Sequence, residues 1–238
     1  MVVLIVGISL AGLLIQKFLG ARVGILAGGI LGGLISSTAT TVSYSRESKE
    51  SPETSRTAAL VIMLASSVVF LRILIIIAAT SPHFLTTAAA PIGTVFVGLL
   101  VISIILWLGT KGEQASPRTG NPSRMKTALI FAFLYALILL GTAAAKDQFG
   151  AKGLYLASII SGLTDMDAIT LSLTQMVSSA LVSPQHGWRL ILIAALSNII
   201  FKAVLIGFLG SRKLLGLMLV LFALSFMLGA LVLFLWPG

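Results

Sequence analysis

GILAGGILGGLISSTATTVS (24–43) and GLYLASIISGLTDMDAITLS (153–172) are two copies of one pattern, set 129 residues apart. They coincide at Gly24/Gly153, Ile30/Ile159, Gly33/Gly162, Leu34/Leu163, Ala39/Ala168, Thr41/Thr170 and Ser43/Ser172, seven identities in twenty positions. Ser36 and Thr38 of the first copy fall where Asp165 and Asp167 stand in the second. The duplication reaches further. Gly20-Ala21-Arg22 has a counterpart in Gly150-Ala151-Lys152, and Ser66-Ser67-Val68-Val69-Phe70 in Ser197-Asn198-Ile199-Ile200-Phe201. A duplicated apolar unit with a polar, acidic centre is the pattern of membrane transporters and channels.

The surrounding composition sets the solvent. Of 238 residues 58% are hydrophobic and 10% charged, and the mean hydropathy is +1.10. That much apolar surface implies an integral membrane protein, built of helices because the apolar runs are of spanning length. The absence of cysteine excludes disulfides, thiolate metal sites and cysteine nucleophiles. The two histidines, His83 and His186, are each close to a proline in an expected loop, which argues against a zinc enzyme. The net charge of +9 fits cytoplasmic loops facing anionic headgroups rather than a nucleic-acid surface. The expected setting is the inner (plasma) membrane of a prokaryote, with the lipid bilayer as the main partner. Residues 2–18 lack a basic leader and read as a retained helix.

The apolar segments are 2–18, 22–44, 57–79, 91–110, 127–145, 152–182, 188–210 and 214–236. A Pro-, Gly- and charge-bearing linker over 111–125 separates a first repeat (1–110) from a second (126–238), and RESKESPETSR (46–56) reads as a second polar loop. Basic residues arbitrate the topology. If all eight segments cross, they divide eight against six, which is no bias. If the two motif segments enter and return on the same side, they divide eleven against three. Three crossings per repeat would invert one half relative to the other. The expected fold class is therefore an all-α polytopic membrane protein with two inverted four-segment repeats. Its motif helices would be broken or re-entrant near the midplane.

Carboxylates at membrane depth cost about 2.5–3.5 kcal/mol each by insertion scales. They persist by pairing, by facing water or by binding a cation. Thr164 or Asp165 can cap a restarting helix. Asp167, Thr170 and Thr174 share one helical face, as do Thr38, Thr41 and Ser45. Together Asp165, Asp167, Thr164, Thr170, Ser36, Ser37, Thr38, Thr41 and Asn198 form a candidate oxygen-lined path. Such oxygens suit hard cations, although helix capping alone would also explain them. Arg72 and Lys202 lie inside their segments at near-equivalent positions. They would snorkel toward a membrane face or pair with an aspartate, and with Arg46 they are candidate gating or charge partners. The glycines at 20, 24, 28 and 32, with Gly29 and Gly33, provide small packing faces and make a homodimer plausible.

GGLISSTATTVSYSR (32–46) and SGLTDMDAITLS (161–172) resemble the paired signatures of a membrane-domain family that accompanies MgtC/SapB proteins, often fused behind an MgtC-type domain. The resemblance spans nearly the whole chain and implies a connection to magnesium and other divalent cations. It singles out Ser36, Ser37, Thr38, Thr41, Arg46, Asp165, Asp167 and Thr170. The MgtC-type acidic domain itself is absent.

The leading expectation is a channel or transporter for metal cations (Mg, Mn, Co, Ni or Zn), with its site at the repeat interface and no resident cofactor. The alternative is a proton-coupled transporter of a small organic or anionic solute that uses Arg72 or Lys202. An intramembrane aspartyl protease is disfavoured, because its two carboxylates would sit two residues apart on one segment rather than on separate helices. A regulatory membrane partner without transport is the fourth reading.

Overall fold

The computed structural model of the chain describes residues 21–109 and 150–237. The segments expected at 2–18 and 127–145 and the linker at 111–125 lie outside the described residues. Among those described, seven α-helices carry the fold. They are α1 (Ala21–Glu50), α2 (Ser55–Thr80), α3 (Pro82–Leu108), α4 (Gly150–Thr164), α5 (Met166–Ser178), α6 (Pro184–Leu209) and α7 (Arg212–Leu235). Five of them are long and apolar enough to cross a membrane, so the protein is an integral membrane protein. The helices α4 and α5, of 15 and 13 residues, are too short to do so separately.

The chain starts its helices with recognisable chemistry. The 3-10 turn Pro52–Thr54, α3 and α6 each begin with proline after serine, which suits a first turn whose N–H groups have no intrahelical partner. Ser211 caps α7, its Oγ accepting from Leu214 N at 3.0 Å. Many hydroxyls inside the helices bond back along the same helix. Ser67, Thr94, Ser103 and Ser225 donate to the carbonyl four residues back at 2.8–2.9 Å. This is how polar residues sit in an apolar environment at little cost.

Several expected boundaries shift. α3 begins at Pro82 rather than 91, because Pro91 is accommodated inside the helix instead of starting it. His83 and His186 therefore lie in the first turns of α3 and α6, not in loops. The stretch 46–50, read as loop, continues α1. It is held there by Ser48, which is fully buried, donates to Ser45 O at 2.7 Å and accepts from Ser211 N at 3.1 Å.

Within α1 the backbone leaves the helical region at Ser36, with φ −166° and ψ 105°. A Cβ placed on Gly32 would lie 2.5 Å from Thr40 Oγ1, and one on Gly28 would lie 3.0 Å from the Tyr44 hydroxyl. Along a straight helix those pairs would stand about 12 and 24 Å apart. The two halves of α1 thus fold back on each other about Ser36. Four of the glycines behind the homodimer expectation pack within the chain. Gly28 and Gly32 face the returning half of α1, while Gly29 and Gly33 abut Leu64, Ala65 and Val68 of α2.

The chain divides into two compact units. The first holds α1, α2 as far as Val69, α3 from Phe96, α6 from Lys202, and α7 as far as Ser225. There α2 and α6 run in opposite directions. Lys202 Nζ donates to Ser66 Oγ at 3.2 Å, and Ser55 Oγ meets Ser211 Oγ at 2.9 Å. The second unit holds α4, α5, α2 and α3 from Phe70 to Val95, α6 as far as Phe201, and the end of α7 from Phe226. There Ser197 Oγ of α6 donates to Ile159 O of α4 at 2.7 Å.

At the end of α5 the chain makes a left-handed turn, with Ala180 at φ 56°. Leu181 N donates to Met176 O at 2.9 Å and Ala180 N to Val177 O at 3.0 Å, which closes a six-to-one, five-to-two helix cap. Glycine is the residue that adopts this conformation freely. Ala180→Gly is expected to stabilise the protein by about 1 kcal/mol, read as a higher melting temperature in detergent.

Candidate functional site

The second motif breaks at Asp165, the counterpart of Ser36. Its φ of −145° and ψ of 108° are extended, like those of Ser36. Both residues act as helix caps in the same way. Ser36 Oγ accepts from Ala39 N at 3.2 Å. Asp165 Oδ1 accepts from Asp167 N at 2.9 Å and from Ala168 N, the counterpart of Ala39, at 3.3 Å. Past the break the hydroxyls repeat as well. Thr41 Oγ1 donates to Ser37 O at 2.8 Å, and Thr170 Oγ1 to Met166 O at 2.6 Å.

Before the break each motif approaches its neighbour through glycine. Gly33 abuts Ala65 of α2, and Gly162 abuts Ala194 of α6; both alanines lie 32 residues on from their glycine. Breaking the helix exposes carbonyls at the end of α4. Asn198 Nδ2 takes one of them, donating to Gly162 O at 2.8 Å. Asn198 is buried, so this bond fixes the end of α4 to α6.

The candidate residues sort by exposure. Ser36, Asp165 and Asp167 are partly exposed at the breaks, whereas Ser37, Thr38, Thr41, Thr170 and Asn198 are buried. The side chain of Thr164 lies outside the described residues. Arg46 is ten residues past Ser36, about 15 Å along the helix, and is not at the break.

Electrostatics centre on the second break. Arg72 of α2 forms an ion pair and hydrogen bond with Asp167 Oδ2. Asp165 keeps its Oδ2 without a hydrogen bond among the described residues. Lys202, expected either to snorkel or to pair with an aspartate, is 1% exposed and donates to Ser66 in the first unit. The hydroxyl was visible in the sequence only as a repeat match. Ser197 and Ser66 were likewise missed as partners, although a polar residue inside an apolar helix is a signal for one. No group of three or more His, Cys, Asp or Glu able to hold a metal occurs among the described residues.

The comparisons with known proteins agree on kinship. Residues 3–210 match the family model "Domain of unknown function (DUF4010)". An "Uncharacterized protein" of Aquifex aeolicus (strain VF5) is 30% identical over 188 residues, covering 78% of this chain and 82% of the relative. No solved structure matches. The chain, an integral membrane protein with a matched pair of broken helices, belongs to the DUF4010 family.

Proposed function

We propose that the protein is a membrane channel or transporter for metal cations, with divalent ions as the cargo. The observation that carries this reading is the pair of equivalent helix breaks, one capped by Ser36 and the other by an aspartate whose Oδ2 has no hydrogen bond among the described residues. Irregular backbone at membrane depth is tolerated where it lines a cavity or is buried in protein, and such breaks are where transporters hold their cargo. With Arg72 paired to Asp167, the second break keeps one net negative charge, which draws a cation. No chemical step is proposed, and the compartment proposed is the prokaryotic plasma membrane. The resemblance to a domain that accompanies MgtC/SapB proteins supports the divalent class by association.

A re-entrant, inverted architecture fits the same facts. By length alone Val23–Glu50 qualifies as a span, but its fold-back at Ser36 roughly halves its reach. That returns its ends to one side, which is the arrangement that gives the eleven-to-three bias of basic residues. The first unit joins the front of α2 to the back of α6, and the second joins the back of α2 to the front of α6. α2 and α6 are each 72% buried over their apolar windows, and α3 and α7 each 33%. Two inverted repeats would produce this exchange and these matched burials.

The test is metal entry into proteoliposomes for Mg²⁺, Mn²⁺, Co²⁺, Ni²⁺ and Zn²⁺. Asparagine caps a helix as well as aspartate does, so Asp165→Asn removes the charge and keeps the cap. Entry per folded molecule is expected to fall by at least about tenfold. Equal entry would sink the reading. One observation favours a second reading, an anionic or organic solute: Arg72 and Lys202 both lie inside apolar helices. Proton-driven solute uptake lost in Arg72→Gln would establish it.

A further inference from the structure

Arg72 meets Asp167 in the first turn of α5, two residues after Asp165. The pair is not sealed. The Arg72 side chain is 23% exposed and that of Asp167 39%, so the protein does not enclose the bond. Two residues away, Asp165 Oδ2 has no hydrogen bond among the described residues. The near-equivalent cation on α6, Lys202, donates to the Ser66 hydroxyl.

We propose that Arg72 is a specificity-determining residue, a tethered cation that occupies Asp167 at rest and is exchanged for the incoming metal ion. The inference rests on the cation-pathway reading above. An unpaired carboxylate in a low-dielectric site is costly, so Asp167 gives up Arg72 only to another positive charge. A divalent ion brings two charges against Asp165 and Asp167 together, while a monovalent ion brings one. The exchange therefore admits divalent ions and holds back monovalent ones. Arg72 limits entry at low metal concentration for the same reason.

The experiment compares Mn²⁺ and K⁺ entry into proteoliposomes of the full chain for wild type, Arg72→Gln, Arg72→Lys and the double variant Arg72→Gln/Asp167→Asn. Arg72→Gln is expected to lower the half-saturating Mn²⁺ concentration by about tenfold, within the usual span of site-to-site coupling, and to narrow the preference for Mn²⁺ over K⁺. Arg72→Lys keeps the charge but loses the planar fork, and is expected to shift both readouts the same way by less. The double variant is expected to lose the gain in affinity. Where Arg72→Gln does not fold, Arg72→Lys decides. Wild-type entry of Mn²⁺ with both readouts unchanged in these variants would overturn the inference and leave the cation pathway standing. No Mn²⁺ entry in wild type would remove the pathway, and this inference with it.

Discussion

Gly162→Ala is expected to eliminate the folded protein, while Gly93→Ala and Gly216→Ala leave it intact. A Cβ at residue 162 would clash with Ala194 O and sit 2.7 Å from the Ala194 carbonyl carbon and Cα. These are backbone atoms of α6, so no side-chain rotation relieves the clash. Overpacking that side chains can absorb costs about 1–3 kcal/mol. Here α4 must move off α6, breaking the Asn198 bond to Gly162 O and displacing the end of α4 beside Asp165, so the cost is expected to exceed about 3 kcal/mol. Around Gly93 and Gly216 nothing lies within 4 Å of the added carbon. The check is the fraction of monodisperse protein, and its melting temperature, after extraction in detergent. A Gly162→Ala protein that melts like wild type would mean that α4 and α6 are not held together there. Gly33→Ala, facing Ala65 and Val68 at 2.7–2.9 Å, is expected to act in the same direction with a smaller loss.

The second large effect is expected at the ion pair. Arg72→Met leaves Asp167 without its cationic partner in an apolar helix environment. At insertion-scale values that costs about 2.5–3.5 kcal/mol, less where water reaches the carboxylate. Adding Asp167→Leu removes the stranded charge and is expected to recover most of the loss, since replacing both members of such a pair by apolar groups is often neutral. The two single variants and the double variant form a cycle, read by unfolding in detergent. Additive losses across it would show that the pair contributes nothing to stability beyond its separate residues.

Much of this arrangement was legible in the sequence, for specific reasons. The likeness of the two motifs was visible because Gly33/Gly162, Ala39/Ala168 and Thr41/Thr170 meet the same backbone demands, namely close approach, a capping geometry and a back-bonded hydroxyl. Ser36 and Asp165 differ in charge yet do one job, and short polar residues at a break announce a cap. The pairing of Arg72 was open because it joins residues 95 apart in sequence, and periodicity places a side chain on a face without naming what faces it. The glycine faces misled. Small residues every fourth position signal that something packs closely, and here it is the same chain. Pro91 misled in the other direction, since it ends helices in water but is tolerated inside one in lipid.

The distance in sequence between Arg72 and Asp167 also bears on how the chain is made. A ribosome adding about 5–20 residues per second reaches Asp167 some 5–20 s after Arg72. In a chain inserted during synthesis, the cation is thus already lodged in the membrane when the carboxylate arrives. Arg72 must bear the early wait alone, and its long stem lets it reach toward headgroups until its partner appears. Asp167, whose side chain is too short to do so, enters a bilayer in which its counter-charge is already in place.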